Sequence, residues 1–222
     1  MKVAIIRFLG TNCDMDCKYA CDVMSVKSEF VWYEETSVKG FDCVILPGGF
    51  SYGDYLRSGV LAKFSPIMNA VLDFAKKGGY VMGICNGFQI LTEIHLLTGT
   101  LLKNSNLRFI HKDVNLKIEN SSCFFTGYSK KYVLKLPIAH GEGNYFCSED
   151  DLKYLEDNEM IAMRYSSADG EVSIENNPNG SVSNIAGITN KEGNVFGLMP
   201  HPERAVGDLG KDGEYIWRSL SI

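Results

Sequence analysis

No stretch of this 222-residue chain has the run of apolar residues that a membrane-crossing helix needs. The opening segment, Lys2 to Phe8, is too short and too interrupted for a signal peptide, so the chain is expected in the cytoplasm with no membrane partner. A basic stripe is also missing. Lys and Arg are scattered and the formal net charge is -5, which argues against nucleic acid as a partner. Neither G-x-x-x-x-G-K-[S/T] nor G-x-G-x-x-G occurs, so no nucleotide phosphate loop is expected. With no sign of secretion, the seven cysteines read as free thiols rather than a disulfide framework. For the same reason Asn120-Ser121-Ser122 and Asn179-Gly180-Ser181 read as chance glycosylation triplets.

What is present is an ordinary globular composition, 45% hydrophobic and 22% charged, enough for one sizeable core and read as one domain over 1–222. In the first half, short apolar runs alternate with helical patterns, as βαβ units of a parallel sheet do. Strands are expected at 2–8, 29–33, 42–46 and 80–84. Helices are expected from Thr11 or Asn12, as cap, to about 26, over 64–77, and from Asn86 onward. The second half reads as more antiparallel. Strands are expected at 107–118, 132–139, 160–165, 184–189 and 195–198, with a long loop near 166–182.

Three segments carry chemistry. Gly83-Ile84-Cys85-Asn86-Gly87 has the form G-x-C-x-G between an expected strand and an expected helix. The serine version of this turn presents a nucleophile on a sharp bend, with small neighbours that leave the reacting atom clear. A cysteine at a helix N-terminus also gains thiolate character from the helix dipole, and the Asn86 N–H would face a developing oxyanion. A buried cysteine in a glycine turn is the structural alternative. The second segment is Met199-Pro200-His201-Pro202-Glu203-Arg204. A nucleophilic thiol needs a base and the base needs an orienting acceptor, roles open to His201 and Glu203. Only four histidines occur in the chain, which keeps the list of bases short. The third is Pro47-Gly48-Gly49, whose backbone N–H groups, freed after a strand, suit the second half of an oxyanion hole. Taken alone it would be an ordinary turn.

Together, in this order, the segments resemble the class I glutamine amidotransferases, the Cys-His-Glu triad family. Within it the resemblance is to the glutaminase subunits of phosphoribosylformylglycinamidine synthases. That rests on Asn12-Cys13-Asp14, Gly48 to Asp54, Cys85 to Gln89, Ala139-His140-Gly141-Glu142-Gly143 and His201-Pro202-Glu203-Arg204. The chain departs in carrying Asn144-Tyr145 where a basic residue commonly follows His-Gly-Glu-Gly, and few residues between Leu107 and Tyr132 match.

The resemblance implies a three-layer α/β fold, flavodoxin-like, with a mixed, mostly parallel sheet flanked by helices. It implies Cys85, His201 and Glu203 as the catalytic set, and the N–H groups of Gly49 and Asn86 as oxyanion donors. Gln89, Phe50, His140 and Glu142 are its substrate-contact candidates. L-glutamine is the implied substrate. A synthetase subunit and a small adaptor are the implied partners, with ATP and magnesium on the synthetase and no cofactor or metal in this chain.

Cys13, Cys17 and Cys21 recur every four residues but bring no histidine at zinc spacing, so they read as small apolar residues of a helix face. Ser148-Glu149-Asp150-Asp151 reads as a capped helix start or a solvated turn. Phe124-Phe125 reads as core or interface. Three rivals remain. A chaperone-hydrolase with the same cysteine elbow lacks the His-x-Glu pair. An amidotransferase of imidazole glycerol phosphate or pyridoxal phosphate synthesis is disfavoured by Phe50–Asp54. An inactive binding module is disfavoured by the complete triad.

Overall fold

The computed structural model describes residues 1–120, 122–129 and 131–221. Ser121, in the middle of one glycosylation triplet, lies outside the described residues. Among the described residues there are eleven strands and five α-helices. They run β1 (Lys2–Arg7), α1 (Asp14–Val23), β2 (Lys27–Trp32), β3 (Cys43–Leu46), α2 (Ile67–Lys76), β4 (Tyr80–Ile84) and α3 (Asn86–Glu93). The second half holds β5 (Thr100–Leu102), β6 (Ile110–Ile118), β7 (Val133–His140), β8 (Asn144–Phe146), α4 (Glu149–Asp157), β9 (Ile161–Ser166), β10 (Ile185–Thr189), β11 (Val195–Leu198) and α5 (Glu214–Trp217).

Nine strands form one sheet in the order β2-β1-β3-β4-β11-β10-β9-β6-β7. The first five run parallel to their neighbours, and from β11 to β7 the pairing is antiparallel. The sheet is therefore mixed with a parallel majority of strands, and its antiparallel part comes from the second half of the chain, as expected. Every residue of β3, β10 and β11 is buried. Successive side chains point to opposite faces, so burial of all of them means that layers cover both faces. One continuous apolar core runs from Val3 to Leu220.

Strand order reverses beside β1, whose neighbours are β2 on one side and β3 on the other. In open α/β sheets this switch leaves a crevice at the carboxyl ends of the strands, the usual place for a ligand. The ends of β1, β3, β4 and β11 carry Asn12, Gly49, Cys85 and His201, respectively.

Several local expectations need correction. Neither Thr11 nor Asn12 caps α1; Cys13 occupies the cap position without a side-chain cap bond. The Thr11 hydroxyl instead accepts from the Phe8 N–H at 3.0 Å, closing the end of β1, and Asn12 Oδ1 accepts from the Cys13 thiol at 3.2 Å. Residues 107–109 precede β6 because Leu107, at φ 57°, turns the chain there. The short strands β5 and β8, which among the described residues pair only with each other, carry no signal in the sequence. Three residues give too few alternations to show a period. The acidic run at 148–151 is a helix start. Ser148 caps α4, accepting from the Asp151 N–H at 3.0 Å, and three carboxylates sit in the first turn, where the dipole favours them.

Candidate active site

Cys85 stands at the junction of β4 and α3 with φ 51° and ψ −104°. A non-glycine residue there carries about 1–3 kcal/mol of backbone strain, held in place by its surroundings. The Cys85 N–H donates to Leu198 O at 2.8 Å, and its carbonyl accepts the first bond of α3 from Gln89 at 3.1 Å. Both glycines of the motif are in close packing. A Cβ on Gly87 would lie 1.9 Å from the Leu46 carbonyl oxygen, so α3 can approach β3 only with glycine here. Gly87→Ala is expected to push α3 outward and cost about 3 kcal/mol. A urea midpoint shift in the purified variant measures this, and an unshifted midpoint would contradict the packing argument.

Pairing of β11 with β4 sets Leu198 beside Ile84, so the chain leaving β11 passes the nucleophile. Three residues further on, the His201 N–H donates to Pro137 O at 2.8 Å. His201 Nδ1 lies 2.6 Å from Glu203 Oε1, with both side chains at or below 1% exposure. A carboxylate oxygen only accepts, so Nδ1 carries a proton and Nε2 is the nitrogen left to do chemistry. Burial, the largest influence, pulls the His201 pKa down. The Glu203 carboxylate, with the Cys85 and Cys13 thiols, outweighs it and holds the imidazole well above its ordinary value.

The antiparallel half curls back over this junction. Although β7 is the far edge of the sheet, its Ala139 carbonyl accepts a weak bond from Cys85 Sγ at 3.8 Å. A cavity of about 380 Å³ results. Its wall includes Cys85, His201, Gly49, Phe50, Gln89, His140 and Glu142. Asn86 is buried beneath that wall at the start of α3. The structure therefore gathers at one cavity the residues that the sequence singled out from segments spread along the chain.

The substrate-contact candidates differ in what they touch. The Gln89 side chain is engaged at both ends: Oε1 accepts from Asn86 Nδ2 at 2.9 Å, and Nε2 donates to the Glu142 carbonyl at 2.7 Å. Asn86 Oδ1 in turn accepts from the Ser51 N–H at 3.2 Å, so this chain of amides ties the Gly48-Gly49 loop, α3 and the 140–143 turn together. Glu142 Oε2 accepts from the Ser58 N–H at 3.3 Å. Phe50 is about half exposed at the cavity wall.

His140 is held by Asn104, which no motif singled out. Asn104 Oδ1 accepts from His140 Nδ1 and from the Gly143 N–H, each at 3.0 Å, while Nδ2 donates to the His140 and Arg108 carbonyls. Burial, with the His201 charge adding to it, brings the His140 pKa down to about 4. The native state thus binds fewer protons than the unfolded chain between about 4 and the ordinary 6.5, so stability falls as pH drops through that window. The loss should reach about 3 kcal/mol. Urea midpoints from pH 7 to 4 for wild type and His140→Gln check it. The difference between the curves should shrink toward acid; parallel curves would sink the attribution.

Sequence reasoning missed Ser58 and Phe109, which line the cavity without a motif signal of their own. Asp54 and Arg204 stand in the sequence only as parts of motifs, Asn12 reads there as a helix-cap candidate as well, and Cys13 as apolar packing. Cys17 and Cys21 fit that reading at 0% exposure. Cys13 is buried too, but its sulfur lies on the cavity, where Arg204 Nη2 donates to it at 3.2 Å.

Residues 1–213 match the family model of the CobB/CobQ-like glutamine amidotransferase domain. The chain is 54% identical to the phosphoribosylformylglycinamidine synthase subunit PurQ of Aquifex aeolicus, covering 99% of each. It is likewise 54% identical to the subunit PurQ of a Synechocystis species, over 93% of each. Among solved structures it superposes on a chain of PurLQS from Thermotoga maritima with a TM-score of 0.86 at 39% identity, covering 99% of this chain and 96% of that one. The glutaminase domain of Trypanosoma brucei CTPS, at 14% identity and TM-score 0.61, shares the fold. With the cysteine elbow, the His-Glu pair and these full-length relatives in view, the chain belongs to the class I glutamine amidotransferases, in the family of the phosphoribosylformylglycinamidine synthase subunit PurQ.

Proposed function

We propose that the chain is a glutaminase subunit that hydrolyses L-glutamine to glutamate and ammonia and passes the ammonia to a synthetase. That synthetase converts formylglycinamide ribonucleotide to formylglycinamidine ribonucleotide with ATP and magnesium bound on its own chain. The observation that carries this reading is the buried His201–Glu203 pair, 2.6 Å apart, in the turn just after the strand that pairs beside the strained elbow of Cys85.

In this reading the Cys85 sulfur attacks the carboxamide carbon of glutamine. The Gly49 and Asn86 N–H groups donate to the oxyanion of the tetrahedral intermediate. As that intermediate collapses, the charged His201 gives its proton to the departing nitrogen, which leaves as ammonia, and a thioester remains. Water then loses a proton to His201 and attacks the thioester carbon. Glutamate leaves and the sulfur is restored. Glu203 keeps the imidazole in the required tautomer and stabilises its cation. Gln89, Phe50, His140 and Glu142 shape the pocket around the amino-acid end of the substrate.

A glutaminase that ran freely would waste glutamine, so docking of the synthetase, with a small adaptor subunit, raises its activity in the cytoplasm. The half-exposed Phe50 and Phe109 at the cavity suit such a contact. The test is glutamate release by the purified chain, alone and with the synthetase and adaptor. Release that rises on assembly and is matched by amination of the ribonucleotide is expected. A silent chain in every assembly would favour an inactive binding module. Stimulation by a different ammonia-consuming synthase alone would reassign the partner.

A further inference from the structure

Set beside the nucleophile is a second thiol that the proposed hydrolysis leaves unused. Cys13 begins α1, and its Sγ, a ring nitrogen of His201 and a carboxylate oxygen of Glu203 all lie within 4.8 Å of one another. All three residues are buried, at 2%, 1% and 0% exposure. Cys13 and His201 meet above the bare α-carbon of Gly48, where a Cβ would come within 3.0 Å of Cys13 Sγ and 2.9 Å of His201 Cε1. Two polar atoms of the group, His201 Nε2 and Glu203 Oε2, are buried with no hydrogen-bond partner of good geometry among the described residues. Of the two, Glu203 Oε2 is an open acceptor, and a buried cluster of thiol, imidazole and carboxylate can take a cation where the proton between His201 Nδ1 and Glu203 Oε1 now lies.

We infer that Cys13, His201 and Glu203 form a binding site for a thiophilic divalent cation of the zinc class, and that filling it switches off the glutaminase. Sulfur, nitrogen and carboxylate oxygen are the donors zinc prefers, and three protein ligands with an open fourth position are common at zinc sites reached by solvent. The cavity wall includes both Cys13 and His201, so an ion has a way in. On binding, the Cys13 thiol and the imidazolium each release a proton to solvent, and the metal–thiolate and metal–nitrogen bonds form in their place. Two anionic donors, Cys13 and Glu203, then balance the charge of the ion. The nearby Arg204 does not oppose it as a bare cation, since Asp16 accepts from Arg204 Nε at 2.9 Å. With the metal bound, His201 and Glu203 can neither relay the proton nor steady the imidazolium.

The inhibition rests on the glutaminase reading; the metal site does not. The full chain, stripped with a chelator, is therefore titrated with Co²⁺ as a visible probe and with Zn²⁺ as its competitor. Wild type should develop a thiolate-to-cobalt band in the near ultraviolet that Zn²⁺ abolishes, and Cys13→Ser should weaken binding by more than about 10-fold. Cys85→Ala, which has no glutaminase activity to inhibit, should keep the band, and His201→Asn should lose it. In the assembled complex, Zn²⁺ should suppress glutamate release at the concentrations that displace Co²⁺, reversibly with chelator. A band unchanged in Cys13→Ser, or lost in Cys85→Ala, overturns the site, as does no band in wild type. Circular dichroism of each variant separates loss of a ligand from loss of fold. If metal binds as described but glutamate release is absent throughout, the glutaminase reading fails and the site stands.

Discussion

Cys85→Ala should lower glutamate release by more than about 10⁴-fold while leaving the fold intact. The magnitude follows from removing the only group that forms the covalent bond, which elsewhere abolishes nearly all triad-dependent rate. The fold should survive because alanine keeps the Cβ and the same strained backbone, and the bond from the sulfur to the Ala139 carbonyl is long, at 3.8 Å. Thermal unfolding should therefore change by less than about 1 kcal/mol. In the assembled complex, glutamine should no longer support amination of the ribonucleotide, whereas added ammonium salt should, since the synthetase chemistry lies on another chain. Persistent glutamine-dependent release from the variant would mean that a different residue attacks the carboxamide. An isotope-labelled glutamine analogue gives the same answer directly: a covalent adduct on Cys85 in wild type, and none in the variant.

Glu203→Gln should cost about 10²–10⁴ in kcat with a much smaller change in KM. The substituted amide can keep an oxygen toward His201 Nδ1, but its NH₂ then lies buried where Oε2 already has no partner. That placement costs about 1–3 kcal/mol. Flipping the amide removes the penalty and forces the wrong imidazole tautomer. A second signature distinguishes this role from a structural one. The Glu203 charge is the leading influence holding the His201 pKa up against burial, so without it the pKa falls. The alkaline limb of the pH–rate profile, where His201 loses its catalytic proton, should therefore move to lower pH in the variant. Stability follows the same sign. A His raised in the folded state contributes below its ordinary value of 6.5, and the contribution fades as pH climbs through the raised value. The variant should lack that contribution at neutral pH. An unmoved alkaline limb would remove Glu203 from the proton chemistry.

Much of the fold was legible because it rests on local rules. The buried runs at 43–46 and 80–84, each closed by glycine-containing turns, could only be central strands, and the spacing of helices between them required parallel pairing. Cys85 was legible for the same reason, since G-x-C-x-G between strand and helix specifies its own geometry. The α1 cap was not. Thr11 and Asn12 are both good cap residues, and the contest was decided by the bridge between Thr11 and Gly49, which lies in another segment. The strands β5 and β8 were invisible because each is stabilised by the other and not by its own sequence.

By itself, the sequence determined that this is an α/β chain with a cysteine elbow and a His-x-Glu pair, because both motifs are short and their geometry is set by neighbouring residues. Only the tertiary structure decided what faces them. Curling of the antiparallel half brought the 139–142 segment over Cys85, and Asn104 was made the support of His140 by contacts far apart in the chain. Packing of α1 against the 202–204 turn carried Cys13 to the His201–Glu203 pair. Cys13 and Cys17 are equivalent on a helical wheel. One meets the core and the other the active site because long-range packing, which no local pattern records, sets where each turn of the helix lies.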